Sequence, residues 1–264
     1  MTLLTVSDLN ITYHTRDGDR PVVIDANFEV KEAEIVGLVG ESGSGKSALV
    51  HAIAALPRPV AATIRGQIRL GDVDMISSSH RMLRAVHGTR LGFVGQNPFG
   101  CLHPTIRIGK QFHTVLAAHK RTNSRSDSLR KAEAALESVG IRDPRRVLSG
   151  YANQLSGGMA QRVVIALATI LEPKFFIADE PTTALDPTVQ VQILDVLRGL
   201  RTDVGMSIFM VTHDLGVVAN YCDKALVMRS GEIVEQNTVL QLFTSPDHPY
   251  TRELLDVDEP EYLK

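Results

Sequence analysis

The residues from Gly40 to Ser47 have the composition of a loop that could hold phosphate groups. Their sequence, Gly-Glu-Ser-Gly-Ser-Gly-Lys-Ser, fits the pattern G-x-x-x-x-G-K-[ST]. Gly43 and Gly45 allow successive backbone N–H groups to turn towards one anion. Lys46 can then reach the outer phosphates, and the Ser47 hydroxyl can ligate Mg²⁺. The pattern predicts a site for a nucleoside triphosphate with magnesium.

The segments on either side of this loop are those that a phosphate loop requires. Ile35–Val39 is a continuous apolar run that predicts a buried strand, and the residues from Ser47 to Leu56 predict a helix that Pro57 stops. A helix that begins at the loop directs its partial positive charge at bound phosphate. This context favours nucleotide binding over the alternative, a Gly/Ser-rich turn before an ordinary helix.

Two adjacent carboxylates follow a second apolar strand. The run Phe175 to Ala178 predicts a buried parallel strand, and it ends in Asp179 and Glu180. Open α/β sheets bind ligands at the carboxyl ends of their strands. Asp179 suits a magnesium contact, and Glu180 could act as the base for an attacking water. The alternative, an acidic strand–loop junction at the surface, is less favoured because the phosphate loop is present.

Three further candidates stay open on pattern alone. Ser156-Gly157-Gly158, before a helix, predicts either a second anion-binding turn or a plain helix cap. His213, after the apolar run 207–211, is either structural or a hydrogen-bond donor to a terminal phosphate. Tyr13 ends a strand of alternating residues, where it could stack on a base, although periodicity favours a half-exposed strand tyrosine.

The composition limits the classes of function. The chain has 264 residues, 44% of them hydrophobic and 22% charged, which is ordinary for a soluble globular protein. Its net charge of −2 argues against a nucleic-acid partner. Cys101 and Cys222 fit no metal spacing and predict reduced thiols. No secretory signal or membrane-spanning run is evident, so a membrane role would require a partner.

The remaining elements predict strands that alternate with helices. Leu91–Val94 predicts a strand that delivers Gln96 into a loop, since Pro98 cannot continue a central strand. Apolar spacing predicts a helix around residues 129–139, and the charged run 120–130 before it predicts a solvated loop. A hairpin at Ser230-Gly231 and two short helices follow, and the acidic end 256–264 is expected to fray.

Taken in order, these motifs resemble the nucleotide-binding subunit of an ATP-binding cassette (ABC) transporter. The resemblance covers nearly the whole chain. It rests on the phosphate loop, Gln96 of the Q-loop, the signature Leu155–Gly158, the Walker B pair Asp179-Glu180, the D-loop Ala184–Asp186 and the switch residue His213. It also implies that Tyr13 is the aromatic residue that stacks on adenine, which reverses the interpretation from periodicity.

The resemblance implies an α/β fold of the P-loop NTPase class. We expect the ABC ATPase fold, with a mainly parallel core sheet, an N-terminal antiparallel β subdomain and an inserted α-helical subdomain. The chain, 1–264, would be a single nucleotide-binding domain, with the helical insertion at about 99–160 and a short C-terminal tail at about 235–264.

The resemblance also implies a role for each site residue. The expected substrate is ATP and the expected metal is Mg²⁺. The residues implied in catalysis are Lys46, Gln96, Glu180 and His213. Those implied in nucleotide binding are Tyr13, Gly40, Ser42, Gly43, Ser44, Gly45, Lys46, Ser47, Ala48, Ser156, Gly157 and Gly158. Those implied in metal binding are Ser47, Gln96 and Asp179.

Finer features resemble the dipeptide, oligopeptide and nickel importers. They are Gln96-Asn97-Pro98, the Walker B segment 178–186 and His248-Pro249-Tyr250-Thr251. Met159 stands where Gln is common in the wider family. Longer members of the subfamily carry further cysteines, and the two cysteines of this chain are too few to ligate an iron–sulfur cluster. The implied solute is a peptide or a nickel or other metal chelate.

The resemblance implies partners and a location as well. These are a second nucleotide-binding subunit, either a copy or a related chain, two transmembrane permeases and an extracellular solute-binding protein. The chain would lie at the cytoplasmic face of the cell (inner) membrane, held there by the permeases.

Two other functions fit less well. A soluble cassette ATPase of DNA repair or translation usually carries two cassettes, a coiled-coil or zinc insertion, and a basic surface. A binding protein that holds ATP without hydrolysing it would not need Glu180 and His213.

Overall fold

The structure, a computed structural model, describes residues 1–57 and 61–257. The chain forms two compact units: the first contains the residues before Arg84 and those from Ser207 onwards, and the second runs from Arg84 to Met206. The phosphate loop falls in the first unit and the Walker B pair in the second. No helix within the described ranges is both long enough and apolar enough to cross a lipid bilayer.

The strands are numbered in chain order. They are β1 (Thr2–Thr15), β2 (Gly18–Lys31), β3 (Ile35–Val39), β4 (Ala62–Leu70), β5 (Val73–Asp74), β6 (Leu91–Val94), β7 (Phe175–Asp179), β8 (Ser207–Val211), β9 (Lys224–Arg229) and β10 (Glu232–Thr238).

The helices follow the same order. They are α1 (Lys46–Ile53), α2 (His80–Val86), α3 (Pro98–Cys101), α4 (Ile108–Ala118), α5 (Arg125–Ser138), α6 (Pro144–Ser149), α7 (Gly157–Thr169), α8 (Pro187–Val204), α9 (Leu215–Tyr221), α10 (Val239–Thr244) and α11 (Pro249–Val257).

The first unit contains an antiparallel sheet with the strand order β2-β1-β4-β5. Leu4, Val6, Leu9 and Ile11 of β1 are buried, as one face of a half-buried strand should be. The predicted N-terminal antiparallel subdomain is therefore present, with longer strands than the sequence pattern indicated.

The first unit also contains the parallel strands that lead to the phosphate loop. β3 pairs in parallel with β8 on one side and β9 on the other, and β10 pairs antiparallel with β9. Every residue of β3 and β8 is buried, which explains why both read as continuous apolar runs. Phe28 of β2 stacks on Phe209 of β8, with ring centroids 5.5 Å apart. The carboxyl end of β3, where the loop begins, is held by the pairing of Leu38 with Val211 of β8 and of Val39 with Val227 of β9.

The second unit pairs β6 with β7 in parallel. Val94 lies opposite Ala178, so the residues that follow both strands emerge at the same edge. A Cβ on Gly92 of β6 would lie 2.7 Å from the Phe176 ring and 2.9 Å from the Ala168 carbonyl of α7. A side chain at this position has no room, because the helix packs directly on the strand.

One prediction for the helical region of the second unit is wrong in part. The charged run 120–130 is not wholly a loop, because α5 begins at Arg125. Ser124 caps this helix by accepting a hydrogen bond from the Asp127 N–H. Asp127 then pairs with Arg130 and Lys131, three and four residues on. The charges that suggested a loop are thus the solvent face of a helix.

The C-terminal segment forms two helices within the first unit, as predicted. Glu235 of β10 is only 8% exposed, and its carboxylate accepts the backbone N–H groups of Asp247 and His248, each at 3.0 Å. The predicted frayed end begins within α11, and residues 258–264 lie outside the described residues.

The titration of Glu235 should link this docking to pH. Burial raises the pKa of Glu235, but the Thr251 hydroxyl and the two N–H donors lower it below its usual value. A lowered folded-state pKa adds stability above the unfolded pKa of about 4.3, and this stability is lost as the pH falls through the folded value. We expect the wild-type stability advantage over Glu235→Gln, measured by urea unfolding, to shrink from pH 7 to pH 4. An advantage that does not change with pH would contradict this assignment.

Candidate active site

The phosphate loop joins β3 to α1 and lies against neighbouring backbone. Gly40 and Gly45 have φ angles of +149° and +110°, which L-residues with side chains rarely adopt. A Cβ on Gly40 would lie 2.0 Å from the Met228 carbonyl oxygen, and one on Gly45 would lie 2.2 Å from that of Val22. Glycine is required at both positions for space as well as for conformation.

Two hydrogen bonds link the loop backbone to other segments of the chain. The Gly231 N–H, at the β9–β10 turn, donates to the Ser44 carbonyl at 2.8 Å. The Glu41 N–H donates to the Tyr250 hydroxyl at 3.2 Å. Both contacts come from the C-terminal part of the chain, so the loop conformation depends on residues far away in sequence.

Lys46 is buried and turned onto the loop itself. Its ammonium group donates to the carbonyls of Gly40 at 2.7 Å and Glu41 at 2.8 Å, and lies 3.4 Å from the Ser44 hydroxyl. Ser47, the next residue, is exposed. A phosphate group would be a stronger partner for the ammonium than these three neutral oxygens.

The other expected nucleotide contacts of the first unit have different environments. Ser42 and Gly43 are exposed, and Ala48 is buried in α1. His213 is exposed in the turn after β8, just before the α9 cap Asp214. Tyr13 is half-buried in β1, opposite Arg20 of β2 and Ala62 of β4. The contacts of these residues with a nucleotide stay a prediction.

Alanine substitutions at two loop glycines should have unequal effects. Gly40→Ala forces Cβ into a backbone carbonyl, which cannot move by rotating a side chain. Gly43 also has a positive φ, +80°, but a Cβ there would meet nothing within 4 Å. Gly43→Ala should cost only the left-handed strain, about 1–2 kcal/mol. We expect a larger fall in the free energy of unfolding for Gly40→Ala, and equal losses would contradict the packing described for Gly40.

The second unit fixes the Glu180 carboxylate. Its Oε2 accepts hydrogen bonds from the Gln96 side-chain amide at 2.8 Å and from the Thr183 hydroxyl at 2.9 Å. Asp179, half-buried, is the last residue of β7. Gln96 reaches Glu180 because β6 and β7 are parallel neighbours, so the loops after them leave the same edge. The structure thus brings Gln96 and Glu180 together, although 84 residues separate them.

The backbone at Glu180 is strained. Its φ is +48°, a left-handed value that costs a residue with a side chain about 1–2 kcal/mol. The Thr183 N–H donates to the Glu180 carbonyl at 3.2 Å and closes the turn. Such strain persists where neighbouring bonds fix it, and it is found disproportionately at functional sites. Thr183 was not singled out from the sequence, because its contact is visible only once the turn is formed.

The signature residues begin α7 and pack on the D-loop. Ser156 caps the helix, its hydroxyl accepting from the Met159 N–H at 3.4 Å. A Cβ on Gly157 would lie 3.3 Å from the Leu185 side chain, and one on Gly158 would lie 2.4 Å from Val189. Glycine at both positions therefore lets the start of α7 pack closely on Leu185 of the D-loop and on Val189 of α8.

The expected magnesium ligands have suitable chemistry. Ser47, Gln96 and Asp179 offer a hydroxyl, an amide oxygen and a carboxylate, which are the hard oxygen donors that Mg²⁺ prefers. Because the Gln96 nitrogen donates to Glu180, its oxygen is the atom that the amide can offer a cation. Each of the three donor groups, taken by itself, suits the ion. Ser47 belongs to the first unit, and Gln96 and Asp179 belong to the second.

Comparison with known proteins identifies related sequences. The ABC transporter family profile matches residues 23–183. The peptidoglycan transport ATP-binding protein YejF of Agrobacterium fabrum is 44% identical, over 96% of this chain but 46% of its own length. The oligopeptide transport ATP-binding protein OppD of Bacillus subtilis is 43% identical, over 96% and 71%. The dipeptide transport ATP-binding protein DppD of Lactococcus lactis subsp. cremoris is 38% identical, over 96% and 73%.

Solved structures agree with the predicted fold. The ATP-binding cassette MJ0796, in a dimeric post-hydrolysis state bound to ADP and Pi, has a TM-score of 0.79 and 26% identity, covering 89% of this chain and 98% of its own. CbiO1 of Clostridium perfringens, described as part of the cbiONQ transporter complex, has a TM-score of 0.76 and 26% identity, covering 92% and 91%. The expected α/β cassette fold is confirmed.

Proposed function

This chain belongs to the ABC transporter family, and we propose that it is the ATP-hydrolysing subunit of a membrane importer of peptides. The observation that carries the proposal is the intact hydrolytic carboxylate, Glu180, held by Gln96 and Thr183. The peptide assignment rests on relatives named for oligopeptide and dipeptide transport. A nickel or metal-chelate solute has no comparable support among these relatives.

ATP is bound through the phosphate loop. The loop N–H groups and the start of α1 surround the β- and γ-phosphates, and Lys46 exchanges its bonds to Gly40 and Glu41 for bonds to phosphate oxygens. Tyr13 stacks on the adenine. Bound Mg²⁺, held by Ser47, Gln96 and Asp179, would neutralise charge on the phosphates.

Hydrolysis depends on the second unit. Glu180 accepts a hydrogen bond from the attacking water and orients it towards the γ-phosphate. Its hydrogen bonds to Gln96 and Thr183 limit rotation of the carboxylate, so the base is positioned before the substrate arrives. His213 donates to the γ-phosphate and stabilises the charge that develops there.

The signature residues act on a neighbouring subunit. In a head-to-tail pair, the turn Ser156–Gly158 of one cassette contacts the γ-phosphate bound by the other, which is either a copy or a related chain. The γ-phosphate is then contacted from both sides only when the pair is closed, so ATP favours closure and hydrolysis releases it. Two permeases at the cytoplasmic face of the membrane would convert this cycle into uptake, with solute delivered by an extracellular binding protein.

The test is affinity purification of the tagged chain from detergent-solubilised membranes. The proposal predicts two polytopic membrane proteins and a cassette subunit in the eluate, with phosphate release that requires ATP and magnesium. Enrichment of DNA-repair or ribosomal proteins would instead support the soluble cassette ATPase. ATP binding without phosphate release by the assembled complex would support the non-hydrolysing alternative.

A further inference from the structure

The segment His248-Pro249-Tyr250-Thr251 has no role in the mechanism described so far. Tyr250 is 1% exposed and is among the largest fully buried side chains of the described residues. It packs in a core cluster with Val39, the last residue of β3, and with Leu242 of α10. The C-terminal helices are therefore anchored next to the start of the phosphate loop.

The Tyr250 hydroxyl contacts the loop directly. It accepts the Glu41 N–H at 3.2 Å across 209 residues of sequence. Glu41 is the second residue of the loop, and its carbonyl accepts from the Lys46 ammonium. Tyr250 thus holds the same peptide segment that positions the catalytic lysine.

The tyrosine is itself held from several sides. Its N–H donates to His248 Nδ1 at 3.1 Å, and the His248 N–H donates to Glu235. The Arg229 guanidinium lies over the ring, 4.5 Å from its centroid. Burial raises the pKa of Tyr250, so the phenol keeps its proton at neutral pH. A neutral, fixed hydroxyl is well suited to hold a backbone N–H in one orientation.

We propose that Tyr250 is a positioning residue of the nucleotide site, which sets the conformation of the phosphate loop through the Glu41 N–H and so raises the affinity for the triphosphate. This inference rests on the proposed ATP-binding function. A loop held in its binding conformation loses less conformational entropy when ligand binds, so affinity increases without a new contact to the ligand. By linkage, bound nucleotide should in turn stabilise the docked C-terminal helices.

The test is the Tyr250→Phe variant of the full chain, which keeps the ring, its packing and the Arg229 contact. One hydrogen bond of this kind contributes about 2- to 10-fold in an equilibrium constant. Titration calorimetry with ATP and magnesium should therefore give a Kd raised about 2- to 10-fold with an unchanged number of sites per chain. Hydrogen exchange at the Glu41 amide should become faster in the ligand-free protein. Tyr151→Phe is the matched control, since its hydroxyl accepts from Arg107 in the second unit.

Other results of these measurements would overturn either the proposal or the function on which it rests. A Kd equal to wild type overturns the proposal, whatever the exchange rate. Fewer sites per chain with an unchanged Kd indicates a merely structural tyrosine and also overturns it. An equal rise in Kd for Tyr151→Phe shows that the effect is not specific to the loop. If the wild-type chain binds no ATP, the proposed function fails, and an unchanged Glu41 exchange rate would separately refute the hydrogen bond.

Discussion

We expect the Glu180→Gln variant to bind ATP with wild-type affinity and to release phosphate at least about 100-fold more slowly. Loss of a general base or of a preorganised electrostatic group typically lowers a rate by this much or more. Glutamine keeps the size of the side chain and can still accept from Gln96 and Thr183, but it cannot take a proton from water. The effect should therefore fall on turnover rather than on binding.

The measurement is phosphate release by the purified complex, together with the Kd for ATP. Glu172→Gln is a matched control, because Glu172 is an exposed glutamate of the same unit with a similar left-handed φ of +57°. The control should turn over at the wild-type rate. Phosphate release near the wild-type rate in Glu180→Gln would refute the assignment of Glu180 as the base.

The Lys46→Ala variant should lose nucleotide affinity. Hydrogen bonds to charged groups contribute about 1.5–3 kcal/mol each, so removing the ammonium should raise the Kd for ATP roughly 10- to 100-fold. Because Lys46 also bonds the loop carbonyls of Gly40 and Glu41, part of this loss should come from a less ordered loop.

Equilibrium titration with ATP checks this prediction. Lys31→Ala is the control, since Lys31 is an exposed residue at the end of β2 in the same unit. We expect it to bind ATP like the wild type. A Kd for Lys46→Ala that equals the wild-type value would count against the phosphate loop as the nucleotide site.

Segments with a strong local sequence pattern were predicted best. The bounds of β3, β6 and β8 agree with the predicted strands, because continuous apolar runs between turn residues have few other interpretations. The predicted helix after the loop ends earlier, at Ile53, and Ala55 then takes a left-handed φ of +48°. The last residue of a helix depends on the backbone conformation of the residues that follow it, and helix propensity does not predict that conformation.

The parts that could not be predicted depend on contacts distant in sequence. Helices α2, α3, α4, α6 and α9 were not assigned, and several of them are short segments whose stability comes from packing rather than propensity. In the site, no local pattern indicates that Gln96 reaches Glu180 or that Tyr250 reaches Glu41. The motifs predicted a set of candidate site residues, whereas the fold was needed to see what holds them.

We propose that one magnesium-bound ATP is held between this chain's phosphate loop and the signature turn of a neighbouring cassette. The most direct measurement is an experimental structure of the Glu180→Gln complex, purified with its membrane partners and trapped with ATP and magnesium. We expect a γ-phosphate that contacts Lys46 of this chain and the Ser156–Gly158 turn of the adjacent cassette, with Asp179 and residue 180 beside the same ligand. A nucleotide that Lys46, Asp179 and residue 180 do not share would contradict it.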